Sequence, residues 1–260
     1  MNTNPLLTVA LITKNEAHQL AACLDSIAPL HCEIIVIDSG STDNTLKIAQ
    51  QYGANCHIFS DWQGFGVQRN RAHEFIHTPW VLWLDADERL SEQTCQDILF
   101  RLPETPADGR TVFSINRLTI AYGHAIRHCG WYPDRVVRLY PVAHCAYNFD
   151  LVHESVQTQP ETKIIPLADH VYHETYTDLN QHLNKLMHYT SAWAQQYQGK
   201  RQASPISACW KACFSFLRIY VLKKGVLDGK AGLIIAVMGA IYTFVKYTQL
   251  WLLNQKSERM

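Results

Sequence analysis

The sequence lacks the motifs that define several common nucleotide- and metal-binding proteins. It has no Walker A motif, and Gly64-Phe-Gly66 lacks the third glycine of a GxGxxG fingerprint. Assignment as a P-loop NTPase or as a dinucleotide-dependent oxidoreductase therefore loses its main support. The eight cysteines include no CxxC pair, and no second pair joins Cys209 and Cys213 to complete a zinc set. We expect reduced core cysteines of a cytosolic protein.

Charged residues are also scarce, at 18% of the 260 residues against 47% hydrophobic residues, which excludes a disordered chain. The N-terminal Met1-Asn-Thr-Asn-Pro5 has no basic region, so we expect no signal peptide.

The net charge is zero, but residues 201–260 hold nine Lys and Arg against two acids, a net +7, which leaves −7 on residues 1–200. This asymmetry is unlike most nucleic-acid binders and suits a protein that rests on an anionic membrane.

The first half of the chain alternates apolar runs with amphipathic segments. Strands are predicted at Leu6–Thr13, Glu33–Asp38, Asn55–Ser60 and Trp80–Leu84, with helical patterns between and after them. This alternation predicts an α/β fold with a mostly parallel sheet and helices on both faces. After about residue 110 the rhythm changes, and a smaller mixed sheet is predicted from three further strands, namely Thr111–Leu118, Val136–Tyr140 and Leu151–Gln157.

The most informative segment is the apolar run Trp80-Val-Leu-Trp-Leu84, which leads directly into Asp85-Ala-Asp87-Glu88. Ligands of open α/β sheets bind at the carboxyl ends of the strands. Magnesium takes one or two carboxylates and completes its shell with water and substrate phosphates. The segment therefore points to a nucleotide-diphosphate substrate, although a solvated turn that starts the next helix is the alternative.

Other polar residues follow the neighbouring predicted strands. Thr13, Asn15 and Glu16 lie at or just beyond the end of the first strand, Asp38 ends the second and Asp85 follows the fourth. Parallel strands bring these ends to one edge of the sheet, so we expect the side chains to converge there. For Asp38 alone, a role as turn former or helix cap is equally consistent.

The C-terminal segment raises a choice between lying on a membrane and crossing it. Ala231–Val245 is an uncharged run of 15 residues, shorter than the roughly 20 needed to span. Lys246 interrupts the run, and the aromatic residues Tyr242, Tyr247 and Trp251 favour an interface. We expect residues 201–260 to form basic amphipathic helices in the membrane surface. A tilted span and a soluble helix packed on the core stay open.

Four segments carry a resemblance to a known family. Leu11-Ile-Thr-Lys-Asn-Glu16, the block from Ile35 to Thr45, Gln68-Arg-Asn70 and Asp85-Ala-Asp-Glu88 resemble a family 2 glycosyltransferase of GT-A fold. Two later segments are similar to the lipopolysaccharide-core branch of that family, namely Gly130-Trp-Tyr-Pro-Asp-Arg-Val-Val-Arg-Leu-Tyr140 and Val152-His-Glu-Ser-Val156. The resemblance implies a glycosyltransferase domain over residues 1–200, with a nucleotide-binding half to about residue 110 and an acceptor half from about 111.

The branch implies inverting transfer of a hexose, with UDP-glucose as the expected donor. The implied acceptor is a lipid-anchored saccharide, the heptose of lipopolysaccharide inner core. The implied cofactor is a divalent metal, Mg²⁺ or Mn²⁺, and the implied location is peripheral, on the cytoplasmic face of the bacterial inner membrane. A polyprenyl-phosphate hexose synthase and a nucleotide-sugar-binding regulator without turnover are the alternatives.

The resemblance also implies roles in binding the nucleotide. Thr13, Asn15 and Glu16 would line the nucleoside pocket, and Asp38 would read the base edge. Arg69 would lie beside the nucleotide.

Further roles concern the diphosphate and the chemistry. Asp85 would bond the ribose or a metal-bound water, and Asp87 would ligate the metal. Glu154 would act as the base that takes the proton of the acceptor hydroxyl. His173 would touch the diphosphate or the metal, with a hydrogen-bonded structural histidine as the alternative.

Overall fold

The computed structural model describes residues 5–149 and 154–258. The strands are β1 (Leu7–Thr13), β2 (Glu33–Asp38), β3 (Asn55–Ile58), β4 (Trp80–Asp85), β5 (Glu88–Leu90), β6 (Thr111–Ala121), β7 (His124–Ala125), β8 (Asp134–Pro141), β9 (Ala146–Tyr147), β10 (Val156–Gln157), β11 (Lys163–Pro166) and β12 (Val171–Tyr176). The helices are α1 (Leu20–Ile27), α2 (Thr45–Gln51), α3 (Phe65–Ala72), α4 (Glu92–Arg101), α5 (Leu179–Tyr197), α6 (Pro205–Leu217) and α7 (Gly229–Glu258).

Four parallel strands form one half of the main sheet, in the order β3-β2-β1-β4. The central strands β1 and β4 are almost wholly buried, as their uninterrupted apolar sequences predict. A helix joins β1 to β2, β2 to β3 and β3 to β4, which is the kind of connection that parallel pairing requires. The predicted α/β class and its four N-terminal strands are confirmed.

The sheet continues with strands of mixed direction. Strand β8 is antiparallel to β4, β6 is antiparallel to β8, and the order then runs through β12 to β5. Two of the strands predicted for a smaller sheet, β6 and β8, thus extend the main sheet. The separate small sheet is the antiparallel pair β9 and β10. Of the predicted strand Leu151–Gln157, only Val156–Gln157 is observed, and residues 151–153 lie outside the described residues.

Alternate side chains of β4 build the two sides of the core. Trp80, Leu82 and Leu84 pack in one apolar cluster with residues of α1 and α4. Val81 and Trp83 pack in a second cluster with residues that include Ala72 of α3. Helices therefore cover both faces of the sheet, and the loops that follow β1, β2 and β4 are held at a common edge.

The chain divides into two compact units, Met1–Arg117 with Asp134–His173 and Leu118–Pro133 with Glu174–Met260. The two units are defined by contacts within the chain and not by function. The functional division predicted at residue 200 stays a prediction. The first unit contains both clusters described above.

The second unit is mainly helical. Helix α7 packs against α5 and α6, and α6 begins where Ser204 caps its N-terminus and Pro205 occupies the first turn. A single π turn, Arg218–Leu222, continues α6. Within the described residues, one helix, spanning 225–256, has the length and apolar composition that a membrane crossing needs.

Candidate active site

The strand ends that carry polar residues meet at one edge of the parallel sheet. In the register of β1, Thr13 lies opposite Asp38 of β2 and Ile12 lies opposite Asp85 of β4. The arrangement places the loops after all three strands side by side, as parallel pairing demands.

Asp38 is buried, and its carboxylate is saturated by hydrogen bonds from the chain itself. One oxygen accepts from the backbone N–H groups of Gly40 and Ser41 at 2.9 and 2.7 Å. The other accepts from the hydroxyls of Thr13 and Ser41 at 2.9 and 2.6 Å. Since a carboxylate offers about four acceptor sites, Asp38 in this state shapes the turn after β2. Its predicted contact with a base edge would replace one of these bonds, and that role stays a prediction.

Asn15 and Glu16 connect the loop after β1 to the same turn. Asn15 adopts a left-handed backbone conformation with φ of +58°, and its side-chain oxygen accepts from the N–H of Thr42 at 2.8 Å. The N–H of Glu16 donates to the hydroxyl of Thr45 at 2.8 Å. The two loops thus form one hydrogen-bonded surface at the sheet edge, where the predicted nucleoside pocket would lie.

Helix α3 is fixed to β9 by very close backbone contacts. Asn70 donates to the carbonyl of Tyr147 at 2.8 Å and accepts from its N–H at 2.9 Å. A Cβ atom on Gly66 would lie 2.1 Å from the carbonyl oxygen of Asn148, so this position requires glycine. The close approach determines where Arg69, the predicted site residue of α3, points.

Arg69 is 2% exposed and extends from α3 toward the end of β4. Its Nη2 lies 2.8 Å from Oδ1 of Asp85, and its Nη1 donates to the hydroxyl of Tyr147 at 3.1 Å. The guanidinium also lies over the rings of Tyr147 and Trp83, at 4.8 and 5.4 Å from their centroids. Burial lowers the pKa of Arg69, but the negative charges of Asp85 and Glu154 help raise it above its ordinary value. The cation is therefore permanent.

A second arginine, Arg138 of β8, engages the other oxygen of Asp85 at 2.7 Å. Asp85 is held between two guanidinium groups while about a third of its side chain stays exposed. Sequence reasoning assigned no role to Arg138. In the sequence, Arg138 stands out only as a cation within the apolar predicted strand Val136–Tyr140. Its contact with Asp85 depends on β8 lying next to β4, which the sequence does not show.

Glu88 lies behind this pair and is completely buried. Its Oε2 accepts from the N–H of Asp85 at 2.9 Å, while its Oε1 lies 3.7 Å from Arg117 and 4.0 Å from Arg138. Burial and the charge of Asp85 raise the pKa of Glu88 well above its ordinary value. The sequence places Glu88 in the acidic segment, but no local pattern shows that this carboxylate is buried behind Asp85.

Asp87 and His173 form a separate, partly exposed pair. The pairing of β12 with β5 places His173 opposite Glu88, and the His173 Nε2 lies 3.2 Å from Oδ2 of Asp87. Each side chain is about a quarter exposed. The structure thus brings together two predicted residues separated by 86 positions.

Among the described residues, no group of three or more His, Cys, Asp or Glu side chains is placed to hold a metal ion. The donor chemistry at Asp87 nevertheless fits a hard divalent ion, because Mg²⁺ uses one or two carboxylates and leaves the other positions to water and substrate phosphates. Asp87 supplies such a carboxylate, and His173 supplies an imidazole beside it.

Glu154, the predicted base, lies near the same network. Its Oε1 is 3.9 Å from Nη2 of Arg69, and about a fifth of its side chain is exposed. Arg69 therefore lies between Glu154 and Asp85. The catalytic and binding roles of all these residues stay predictions, but their common location is observed.

Comparison with known proteins identifies the family. The profile described as "Glycosyl transferase family 2" matches residues 8–152. An uncharacterized glycosyltransferase of Rickettsia prowazekii is 27% identical over 263 residues, which cover 98% of this chain and 89% of the relative. The lipopolysaccharide core biosynthesis glycosyltransferase LpsC of Rhizobium meliloti is 25% identical over 257 residues, which cover 94% and 92%. A crystal structure of S. aureus TarS 1-349 in complex with UDP-GlcNAc has a TM-score of 0.46 at 14% identity, covering 97% and 91%.

The family match extends over more than half of the chain and includes the whole parallel part of the sheet, from β1 to β4. It also includes the acidic segment at the end of β4 and the arginine pair that holds Asp85. The chain belongs to glycosyl transferase family 2 and has the GT-A type of fold.

Proposed function

We propose that this protein is an inverting hexosyltransferase that moves glucose from UDP-glucose to a heptose of lipopolysaccharide inner core. The observation that carries the proposal is the pair Asp87 and His173 beside the clamped Asp85, at the carboxyl edge of the parallel strands. Membership of family 2 supports a glycosyl donor. The similarity to a lipopolysaccharide core biosynthesis glycosyltransferase supports the acceptor class.

Asp87 and His173 are the residues that would hold a divalent ion, and a bound ion would supply positive charge to the diphosphate leaving group. Arg69 and Arg138 keep Asp85 in a single orientation, with its exposed part available to the ribose or to a water. This pre-organised arrangement reduces the reorganisation that donor binding requires.

In the transfer itself, the acceptor hydroxyl oxygen forms a bond to the anomeric carbon of the hexose. The bond from that carbon to the β-phosphate oxygen breaks on the opposite face, and UDP leaves with the electron pair. Glu154 takes the hydroxyl proton. Its partial exposure allows an acceptor to reach it, and Arg69 nearby favours a fixed position for its carboxylate.

A lipid-anchored acceptor explains the surface of α6. Ile206, Trp210, Phe214 and Leu217 recur at helical spacing, and all are more than half exposed. Lys211 and Arg218 are exposed on the same polypeptide segment. Such a stripe suits a helix that lies in the membrane surface with its cations at the head groups. This surface supports a proposed peripheral location on a membrane, for which we propose the cytoplasmic face of the bacterial inner membrane.

The proposal is tested with purified protein, radiolabelled UDP-glucose, Mg²⁺ or Mn²⁺, and core lipopolysaccharide from a strain that lacks this gene. We expect labelled product from the wild type and at least a hundredfold loss, about 3 kcal/mol of barrier, in Asp87→Asn. Asp108→Asn, which changes an exposed carboxylate elsewhere, is the matched control.

Full turnover by Asp87→Asn would contradict the metal role. Label transferred to polyprenyl phosphate instead of core would favour the synthase alternative, and donor binding without any product would favour a regulator. Mass spectrometry of core oligosaccharide from the deletion strain identifies the missing sugar.

A further inference from the structure

Three cations of the second compact unit lie over aromatic rings. The cationic cluster consists of Arg201, Lys211 and Lys246 with the rings of Trp193, Tyr197, Tyr242 and Tyr247. Lys246 Nζ lies 4.7 Å from the centroid of Trp193 and 5.0 Å from that of Tyr242. Lys211 Nζ lies 3.8 Å from the centroid of Tyr247, which Lys246 also approaches at 5.4 Å. The two ammonium groups thus share one ring.

Arg201 completes the group from the segment that follows α5. Its guanidinium carbon lies 4.4 Å from the centroid of Tyr197 and 6.0 Å from that of Trp193. Trp193 is therefore shared by Arg201 and Lys246. Rings within about 6 Å attract cations through their quadrupole, which explains how like charges are held close together.

No opposite charge pairs with the cluster among the side chains that the structure describes. Across residues 5–149 and 154–256, no carboxylate lies within 4 Å of the charged groups of Arg201, Lys211 or Lys246. Burial lowers the pKa of Lys246, and the nearby cations Arg201, Lys211 and Arg218 lower it further. Lys246 is partly buried among other cations, whereas Arg201 and Lys211 are exposed. A partly buried ammonium group without a counter-ion is unfavourable, and a bound anion would reduce that cost.

We propose that the cationic cluster binds the phosphate of an anionic phospholipid head group, an inference that rests on the membrane association proposed above. Cation–π contacts occupy one side of each charged group and leave other N–H groups to donate to phosphate oxygens.

The helix that carries Lys211 also carries the exposed apolar stripe of α6, in which Trp210 is the adjacent residue. A lipid satisfies both features, because its acyl chains contact the stripe while its phosphate meets the cations. A soluble phosphate would satisfy only the cluster.

The test is co-sedimentation of the full-length protein with vesicles of phosphatidylcholine, alone or mixed with phosphatidylglycerol. We expect phosphatidylglycerol to strengthen binding and both Lys211→Gln and Lys246→Gln to weaken it by about tenfold or more, since each loses a charged hydrogen bond to phosphate. Lys211 is exposed, so its substitution should leave the fold intact, which circular dichroism checks.

Lys230→Gln is the matched control, because Lys230 is an exposed lysine of the same helical region. Equal weakening in all three variants would show general surface attraction and overturn the site. A change in tryptophan fluorescence with glycerol phosphate, absent in Lys246→Gln, would assign the cluster to a soluble ligand and overturn the lipid. Equal binding to neutral and anionic vesicles would overturn the head-group site but leave membrane association standing, whereas no vesicle binding by the wild type would overturn both.

Discussion

Arg69 and Arg138 each contact one oxygen of Asp85, so this carboxylate meets a ligand from a fixed position. Arg69 and Arg138 are both buried, and buried guanidinium groups are stable only with partners. Asp85 therefore supports the fold at the same time as it lies at the predicted donor site. Asp87, two residues later, contacts His173 and is about a quarter exposed.

Replacement of Arg69 should destabilise the protein more than replacement of its helical neighbour Arg71. Arg69→Met leaves the charge of Asp85 with one partner fewer, and we expect a loss of about 2–3 kcal/mol in the free energy of unfolding. Arg71 pairs with the exposed Asp61 at 2.6 Å, so Arg71→Met should cost less than about 1 kcal/mol. Urea denaturation measures both values. Equal losses would show that the buried pair of Arg69 and Asp85 stabilises the fold no more than the exposed pair of Arg71 and Asp61.

Glu154→Gln should retain donor binding and lose transfer by roughly 10²–10⁴-fold, because the amide cannot take the proton of the acceptor hydroxyl. Binding of UDP-glucose is measured by calorimetry and transfer by product formation. Glu161→Gln, which changes an exposed residue, is the control and should behave as wild type. Transfer near the wild-type rate in Glu154→Gln would assign the base elsewhere.

His182 should make stability depend on pH. Its ring stacks on Tyr176 with centroids 3.8 Å apart, and its Nδ1 lies 2.6 Å from the Tyr122 hydroxyl. Burial, with a smaller effect of Lys185, lowers the pKa of His182 to about 4, so the unfolded chain takes up the proton first, near pH 6.5. Its stabilising effect is complete above about pH 6.5 and is lost as the pH falls toward 4.

The wild type should therefore lose about 3 kcal/mol more than His182→Gln between about pH 7 and pH 4. Urea denaturation measures the free energy of unfolding of both proteins at both pH values. The difference between the two proteins cancels the contribution of the titratable groups that they share. Parallel pH profiles would mean that His182 titrates normally in the folded state.

At the scale of elements, the contact between α3 and β9 determines where Arg69 lies. Asn70 stabilises this contact through two hydrogen bonds. Gly66 permits it because it has no side chain to collide with Asn148. The position of a helix relative to a distant short strand therefore controls the geometry at the end of β4.

Gly66→Ala should move α3 away from β9 and reduce both stability and transfer. Overpacking of this kind costs typically 1–3 kcal/mol, and we expect at least a tenfold loss of activity because Arg69 moves with the helix. Gly53→Ala is the control, since Gly53 has a positive φ of 76° but nothing within 4 Å of an added Cβ. It should lose some stability and keep its activity. Normal activity in Gly66→Ala would show that the contact does not position the site.

Local patterns in the sequence predicted which segments form strands and which form helices. They did not predict every pairing between strands. The apolar sequence of β4 indicated burial on both faces, and parallel pairing placed the strand ends together. The neighbour of β4 on its other side, β8, is antiparallel and more than 50 residues away. No local pattern encodes that pairing, so Arg138 was not assigned.

At the scale of the whole molecule, the charge asymmetry between residues 1–200 and 201–260 should appear as salt-dependent membrane binding. Binding to phosphatidylglycerol vesicles should weaken as salt rises, because the Debye length falls from about 10 Å at 0.1 M to about 3 Å at 1 M. Co-sedimentation over this range measures the effect, with phosphatidylcholine vesicles as the control. Binding that is unchanged by salt would favour insertion driven by apolar residues alone.

The sequence by itself determined the fold class, the parallel strands, the acidic segment after β4 and the basic character of the tail. These follow from periodicity, composition and spacing, which are local properties of the chain. Only the tertiary structure decided that Asp38 fills its own turn with hydrogen bonds, that two arginines hold Asp85, and that His173 meets Asp87. The contacts of Asp85 and Asp87 join residues far apart in the sequence, and both the pairing of the strands and the burial it creates depend on the packing of the chain as a whole.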